Sequence, residues 1–257
     1  MPNKPVVRTL LWDIETSPSL GWVWQKYETD VLSFEMDWRI LTIAWKFLGD
    51  KKVQVLGLPD FARYQVDPED DYVLVAHAHA LFTEADIVVA HGGRAFDTRK
   101  AQARMLIHGM QPPSGFREVD TLKIARQYFS FQSNKLGDLC ETLGFGGKAD
   151  TGGFATWLGC MRGDEGAWAK MKKYNIQDVR LLEQLYLRLL PWANSHPNVA
   201  TIANDPEACP KCGSIEGMII RGYTHTAISR RVKLQCKSCG GYCSSRAAER
   251  LETQYVS

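Results

Sequence analysis

Two carboxylates, Asp13 and Glu15, stand two residues apart in the run LLWDIETS. Leu10, Leu11, Trp12 and Ile14 make that run apolar enough for a core strand, and a strand places residues two apart on one face. Leu11 shares the face of the carboxylates, which argues against a solvent-facing edge. Carboxylates withdrawn from water without cations are costly. A hard divalent cation such as Mg²⁺ or Mn²⁺, which prefers oxygen ligands, would resolve the conflict. Two further acids fit the same chemistry. Asp97 follows DIVVAHGGRAF at the predicted start of a helix, where an acidic residue also suits the helix terminus. In MKKYNIQDVRLLEQLY, Met171, Tyr174, Asp178, Leu182, Leu185 and Leu189 recur at helical spacing. Asp178 therefore interrupts an apolar stripe, with Tyr174 one turn before it.

A second set of chemistry-bearing residues lies near the C-terminus. CPKC and CKSC are C-x-x-C pairs separated by 23 residues, close to the spacing of a four-cysteine zinc site. Cys209, Cys212, Cys236 and Cys239 would hold one tetrahedral Zn²⁺, with Cys243 spare. Gly213 and Gly240, one after each pair, suit the tight turns of a zinc ribbon. Four thiolates leave no open position, so the site reads as structural; a disulfide pair is the other reading.

The elements that must position these residues follow from pattern. VVRTLLWDIE, DWRILTIAWKFLG and KKVQVLGL read as strands, the last two joined at Gly49-Asp50. DDYVLVAHAHALFTEA reads as a helix, DIVVAH as a short strand and FDTRKAQARMLIHGM as a helix ending at Gly109. FREVDT reads as a strand. Helices follow in TLKIARQYF, in NKLGDLCETLG with its stop at Gly144, and from about Asp164 to Leu190. Strands first, then strands alternating with helices, predict an α/β fold with a mixed sheet flanked by helices. The polar HPNVATIANDPEA marks a boundary: a domain over 1–198, a linker over 199–207 and a small ribbon over 208–257.

DIE on a first strand, FD after a second motif and Y-x-x-x-D on a late helix resemble the DEDD exonuclease superfamily, whose fold is ribonuclease-H-like (DnaQ-like). Tyr174 four residues before Asp178 is similar to the tyrosine subclass; the histidine subclass would need His where Lys173 stands. The resemblance is nearest to phage-type and YprB-type exonucleases and extends over DTLKIARQYF and SNKLGDLCETLG. It implies two Mg²⁺ or Mn²⁺ ions held by Asp13, Glu15, Asp97 and Asp178, with Asp13 bridging and Tyr174 orienting the attacking water. It implies 3′→5′ hydrolysis of DNA to nucleoside 5′-monophosphates, from single-stranded or frayed 3′ ends. Thr16 and Ser17, just after the first motif, would contact the terminal nucleotide. A role in phage DNA replication or proofreading would need a separate polymerase or replication protein, because the chain has no room for a polymerase domain. RNA trimming, or a non-catalytic nucleic-acid-binding or scaffold subunit, are the alternatives. Family members often carry H-N-G-x-x-F-D; HGGRAFD has Gly92 in place of the Asn.

Composition sets the outer limits. The 257 residues are 45% hydrophobic and 23% charged, with a net charge of +2, as in ordinary globular proteins. No run approaches the length of a membrane span, and MPNKPVVRTL does not read as a signal peptide, so the expected location is the cytoplasm, that of the host if phage-encoded. Seven cysteines in such a chain suggest metal or free thiols. From Ala208 onward eight Lys/Arg stand against three Asp/Glu, so the tail is basic on an acidic body and suggests a polyanionic partner. Trp22, Trp24 and Tyr27 fit packing beneath a loop better than base stacking. His77, His79 and His108 read as ordinary helix residues, Cys140 and Cys160 as buried small hydrophobes, and Lys148 as part of a loop.

Overall fold

The computed structural model describes residues 6–27, 30–93, 96–147 and 152–250. Five strands form the central sheet: β1 (Thr9–Thr16), β4 (Ile40–Phe47), β5 (Gln54–Gly57), β6 (Ile87–Ala90) and β7 (Arg117–Asp120), in the spatial order β5-β4-β1-β6-β7. β1 pairs antiparallel with β4 and parallel with β6; β4 and β5 are antiparallel, and β6 and β7 parallel. The mixed sheet follows from connection length. The short link between β4 and β5 permits a hairpin, whereas parallel β1, β6 and β7 need helical crossovers.

The helices are α1 (Tyr72–Glu84), α2 (Asp97–Ile107), α3 (Thr121–Tyr128), α4 (Leu136–Thr142), α5 (Phe154–Met161), α6 (Glu165–Leu189) and α7 (Val199–Ile202). Alternation along β1 divides the core. Leu10, Trp12 and Ile14 pack with Leu74, Ala78 and Phe82 of α1 and Ala101 and Met105 of α2. Leu11 packs instead with Ile124 of α3, Leu139 of α4 and Val179, Leu182 and Leu185 of α6. On that second face Lys46 Nζ lies 2.7 Å from Glu183 Oε1, tying β4 to α6.

Besides α7, which lies in the stretch read as a linker, two features of the main body escape the sequence patterns. Between β1 and β4 a small hairpin, β2 (Leu20–Trp22) and β3 (Ser33–Met36), projects from the sheet. Its aromatics are not covered: Trp22, Trp24 and Tyr27 are 63%, 81% and 88% exposed, which corrects the expectation that they pack beneath a loop. The other is α5, an apolar segment that packs on α6. His108 also differs from expectation. Its Nε2 lies 2.6 Å from Asp71 Oδ1, and Arg104 Nη2 lies 2.7 Å from the same oxygen. Asp71 is fully buried and also accepts the Ile40 amide, so one carboxylate joins α1, α2 and β4.

The C-terminal strands β8 (Met218–His225), β9 (Ser229–Cys236), β10 (Tyr242–Ser244) and β11 (Glu249–Arg250) form a separate sheet centred on β9. This unit is seated on the rest of the chain. Val199 joins the second core and its amide donates to Pro210 O at 2.8 Å. Lys211 Nζ donates to Pro191 O at 2.6 Å, capping the carbonyls after α6.

Candidate active site

Strands β1, β6 and β7 are parallel and end at the same edge, the usual place for a ligand crevice in an open α/β sheet. β1 outruns its neighbour there: its pairing with β6 stops at Leu11, while pairing with β4 continues to Thr16. Asp13 and Glu15 lie on this overhang, on the face covered by α6. Asp178 comes from α6, where Met171, Tyr174, Leu182, Leu185 and Leu189 are buried along the expected stripe. Oxygens of Asp13, Glu15 and Asp178 lie within 4.8 Å of one another.

Asp97 approaches from the far side of the overhang. It opens α2 and is 5% exposed. Burial pushes its carboxyl up to about 7, and the Asp120 carboxylate adds to the rise; N–H groups of Asp97 itself and Ile14, with the Lys100 ammonium, oppose it. The contact with Ile14 sets Asp97 against the main chain between Asp13 and Glu15. Asp13, Glu15 and Asp178 thus converge on one stretch of β1, and Asp97 stands against its main chain at Ile14, outside that cluster of three. A donor set made only of carboxylate oxygens, crowded beyond what their mutual repulsion favours, fits hard divalent cations.

Tyr174 is 9% exposed and makes an edge contact with Trp157 of α5, ring centroids 6.4 Å apart. Thr16 Oγ1 accepts a hydrogen bond from Lys100 Nζ at 3.1 Å. That ammonium stands over the rings of Trp38 and Phe96, 4.2 and 4.5 Å from their centroids. Ser17 is placed differently. It is buried, and its Oγ accepts the Arg39 amide at 3.0 Å, so its hydroxyl holds the chain where β1 meets β4. A cleft of about 940 Å³ runs from Asp13 and Asp178 past His91 to Arg126, Asn134 and Lys135. Lys148 lies outside the described residues.

Two further polar residues stand at the site without a motif of their own in the sequence. Asn175 is fully buried; its Nδ2 donates to Asp13 Oδ2 at 2.7 Å, and its Oδ1 accepts from Thr42 Oγ1 at 2.9 Å. The available signal was an Asn inside a helix, where this residue is unfavourable unless its amide is employed. His91 bridges Thr121 Oγ1 at 3.0 Å and Asn134 O at 2.8 Å, closing the end of β6 onto α3 and the loop before α4. Gly92 has φ +78° and donates its amide to Asp120 Oδ1 at 2.8 Å. Its neighbour Gly93 has no room for a side chain: a Cβ there would lie 2.3 Å from that of Ala90.

The four cysteines of the C-terminal unit also converge, with sulfurs within 4.8 Å of one another. Cys209 and Cys239 sulfurs are 3.9 Å apart, and those of Cys212 and Cys236 3.8 Å. A tetrahedron with Zn–S near 2.3 Å has edges of roughly 3.8 Å, so the spacing fits zinc and is far too long for disulfides. Gly213 and Gly240 both have φ +74°, which lets each knuckle turn back. The amides of Lys211 and Gly241 point at the sulfurs of Cys209 and Cys239, each at 3.4 Å. Cys243 stands outside the set of four.

A search of curated protein sequences returns no match. Among solved structures, the chain is similar to the family B DNA polymerase of the hyperthermophilic archaeon Pyrobaculum calidifontis, with a TM-score of 0.54 and 18% identity. The alignment covers 73% of this chain and 25% of the polymerase, so this chain corresponds to a quarter of that protein. A family model for the RNase_H superfamily matches residues 27–190, beginning after the Asp13–Glu15 strand. With a central sheet of this order and this match across most of its length, the chain belongs to the RNase H superfamily.

Proposed function

We propose that the chain is a 3′→5′ exonuclease that hydrolyses the terminal phosphodiester of a DNA strand and releases nucleoside 5′-monophosphates. The observation that carries this reading is the convergence of Asp13, Glu15 and Asp178 oxygens within 4.8 Å at the overhang of β1. Asp13, Glu15 and Asp178 would hold one Mg²⁺ or Mn²⁺; Asp13 and Asp97 would hold a second. Bound there, such ions would polarise the phosphoryl group and offset charge on the attacking and leaving oxygens.

The chain's own groups supply position. Asn175 fixes the Asp13 carboxylate through one oxygen, Oδ2. Tyr174, a turn before Asp178, would present its hydroxyl to the attacking water. Arg126 and Lys135 line the cleft and would meet phosphates of the strand behind the terminal nucleotide. Lys100 and Thr16 would receive the terminal nucleotide, in the place expected for Thr16 and Ser17 together. Residues 1–198 would form this catalytic unit and 208–257 a ribbon on structural zinc. The fold shared with a DNA polymerase is compatible with DNA as substrate and a separate polymerase as partner.

The test is incubation of 3′- and 5′-labelled DNA and RNA oligonucleotides with Mg²⁺ or Mn²⁺. Early release of labelled mononucleotide from the 3′-labelled strand, with a descending ladder from the 5′-labelled strand, supports the reading. Faster degradation of RNA would move the substrate to RNA. Internal fragments of both labels, without mononucleotide, would refute exonucleolysis.

A further inference from the structure

A second concave site lies away from the carboxylates. The C-terminal sheet and residues 193–198 enclose a cleft of about 480 Å³, and none of its described lining residues is acidic. Strand register explains the composition. Arg231, Lys233 and Gln235 share one face of β9. Pairing sets Thr224 beside Arg231, Ser244 beside Lys233 and Tyr242 beside Gln235. Thr224 Oγ1 and Ser244 Oγ are 3.2 Å apart across that face. The cleft is therefore walled by hydroxyls of Thr224, Tyr242 and Ser244 and by the Lys233 ammonium, with the amides of Asn194 and Asn198 opposite.

The two faces of β9 differ in charge balance. On the far face Arg230 is neutralised by Glu249, 2.7 Å away, and rests over the Tyr223 ring. On the cleft face neither Arg231 nor Lys233 has an ion-pair partner among the described residues. Lys211, held by Pro191 O and Asn194 Oδ1, adds a fixed positive charge to the floor. Unpaired cations edged by hydroxyls and side-chain amides are the donors that hold a phosphodiester backbone without reading its bases. An acidic protein surface would offer carboxylates to the cations but would make less use of so many neutral donors.

We propose that this cleft binds the sugar–phosphate backbone of the nucleic-acid strand whose 3′ end lies at the carboxylates. The inference rests on the exonuclease reading for the identity of the strand. Helix α3 divides the two sites: Leu122 and Arg126 line the carboxylate cleft, while Lys123 and Ile124 line a hollow shared with Ser195, His196 and the acidic Glu118 and Asp120. Only a strand long enough to pass α3 reaches both, so the cleft acts on long substrates and is silent on short ones.

The test uses the full, zinc-loaded chain carrying Asp178→Asn to stop turnover, and a labelled long single-stranded DNA. Arg231→Gln with Lys233→Gln should weaken binding about tenfold at low salt. It should make the slope of log affinity against log salt shallower by about 1.4, two phosphates at roughly 0.7 each. Ser244→Glu, which sets a negative charge on the same face, should weaken binding similarly; it serves if the double variant loses zinc. Arg230→Gln, on the far face, should leave the slope unchanged. With Asp178 restored, the double variant should cleave a trinucleotide at the wild-type rate and a long strand more slowly. Unchanged affinity and slope in zinc-replete variants would overturn the proposal, as would an equal loss in Arg230→Gln. So would a wild-type chain without affinity for nucleic acid, which would leave the face to an acidic protein. A chain that binds through this face but releases no mononucleotide would keep the cleft and reject the exonuclease reading.

Discussion

Asn175 Nδ2 donates to Asp13 Oδ2 at 2.7 Å, joining the middle of α6 to the overhang of β1. The amide is itself oriented by Thr42 on β4, so three elements set the direction of one carboxylate. Hydrogen bonds that orient a metal ligand are worth about ten- to a hundredfold in metal affinity or activity. Asn175→Ala should weaken Mn²⁺ binding and lower kcat by that order, with Thr42→Val intermediate. Mn²⁺ titration followed by electron paramagnetic resonance checks it; wild-type Mn²⁺ affinity in Asn175→Ala would remove the positioning role.

Tyr174→Phe should separate packing from chemistry. The ring keeps its edge contact with Trp157, and no carboxylate is lost. A hydroxyl that positions water acts in the transition state, so kcat should fall by about 10² with little change in KM. Single-turnover kinetics on a 3′-labelled strand measures this. Loss of metal binding in Tyr174→Phe would contradict the assigned role.

The Asp71–Arg104–His108 cluster is a matter of stability. Asp71 is fully buried and accepts hydrogen bonds from two guanidinium nitrogens of Arg104, Nε at 2.8 Å and Nη2 at 2.7 Å. Removing one partner of a buried pair strands the other, at about 3–5 kcal/mol. Arg104→Met should lower unfolding stability by that amount, read by urea denaturation. A loss below about 1 kcal/mol would mean that the pair behaves like a surface ion pair.

His196 gives the stability a pH dependence. Its ring is wedged between the Tyr186 hydroxyl at 2.9 Å and Pro197 O at 2.8 Å. Burial lowers its pKa, with the positive charge of Lys211 acting the same way and the Pro197 carbonyl against it. The folded state therefore takes up its proton at lower pH than the unfolded chain. The His196 contribution is fully present above the ordinary histidine value of about 6.5, and is lost as pH falls through the depressed folded value. Unfolding free energies measured from pH 7.5 down to 5 should decline less steeply in His196→Gln than in wild type. Parallel curves would show that His196 does not titrate differently on folding.

Much of this was legible in the sequence because the relevant signals were local. Asp13 and Glu15 declared a shared face by strand period, and Asp178 declared itself by interrupting an apolar stripe. The cysteine pairs carried their own spacing. What could not be read was partnership across the chain. Asn175 and Asp13 are 162 residues apart, and nothing near either one names the other. His108 looked like an ordinary helix residue because its partner, Asp71, lies on another helix start. Ser17 looked like a substrate contact by adjacency, yet the bend from β1 toward β4 turns its hydroxyl onto Arg39. The β2–β3 hairpin was missed because its short, exposed strands have no buried face to impose a period.

In the proposed reaction the Asp13, Glu15, Asp97 and Asp178 carboxylates would hold the cations that cleave a 3′-terminal phosphodiester. The most direct measurement is Mn²⁺-dependent release of mononucleotide from a 3′-labelled DNA strand by the wild-type chain, Asp13→Asn and Asp178→Asn. All three are first shown to be folded and zinc-replete. Release by the wild type and loss of at least about 10³ in rate in each variant are expected, since each removes a cation ligand on which the chemistry depends. Wild-type rates in either variant, or equal release by all three without Mn²⁺, would contradict that role for the carboxylates.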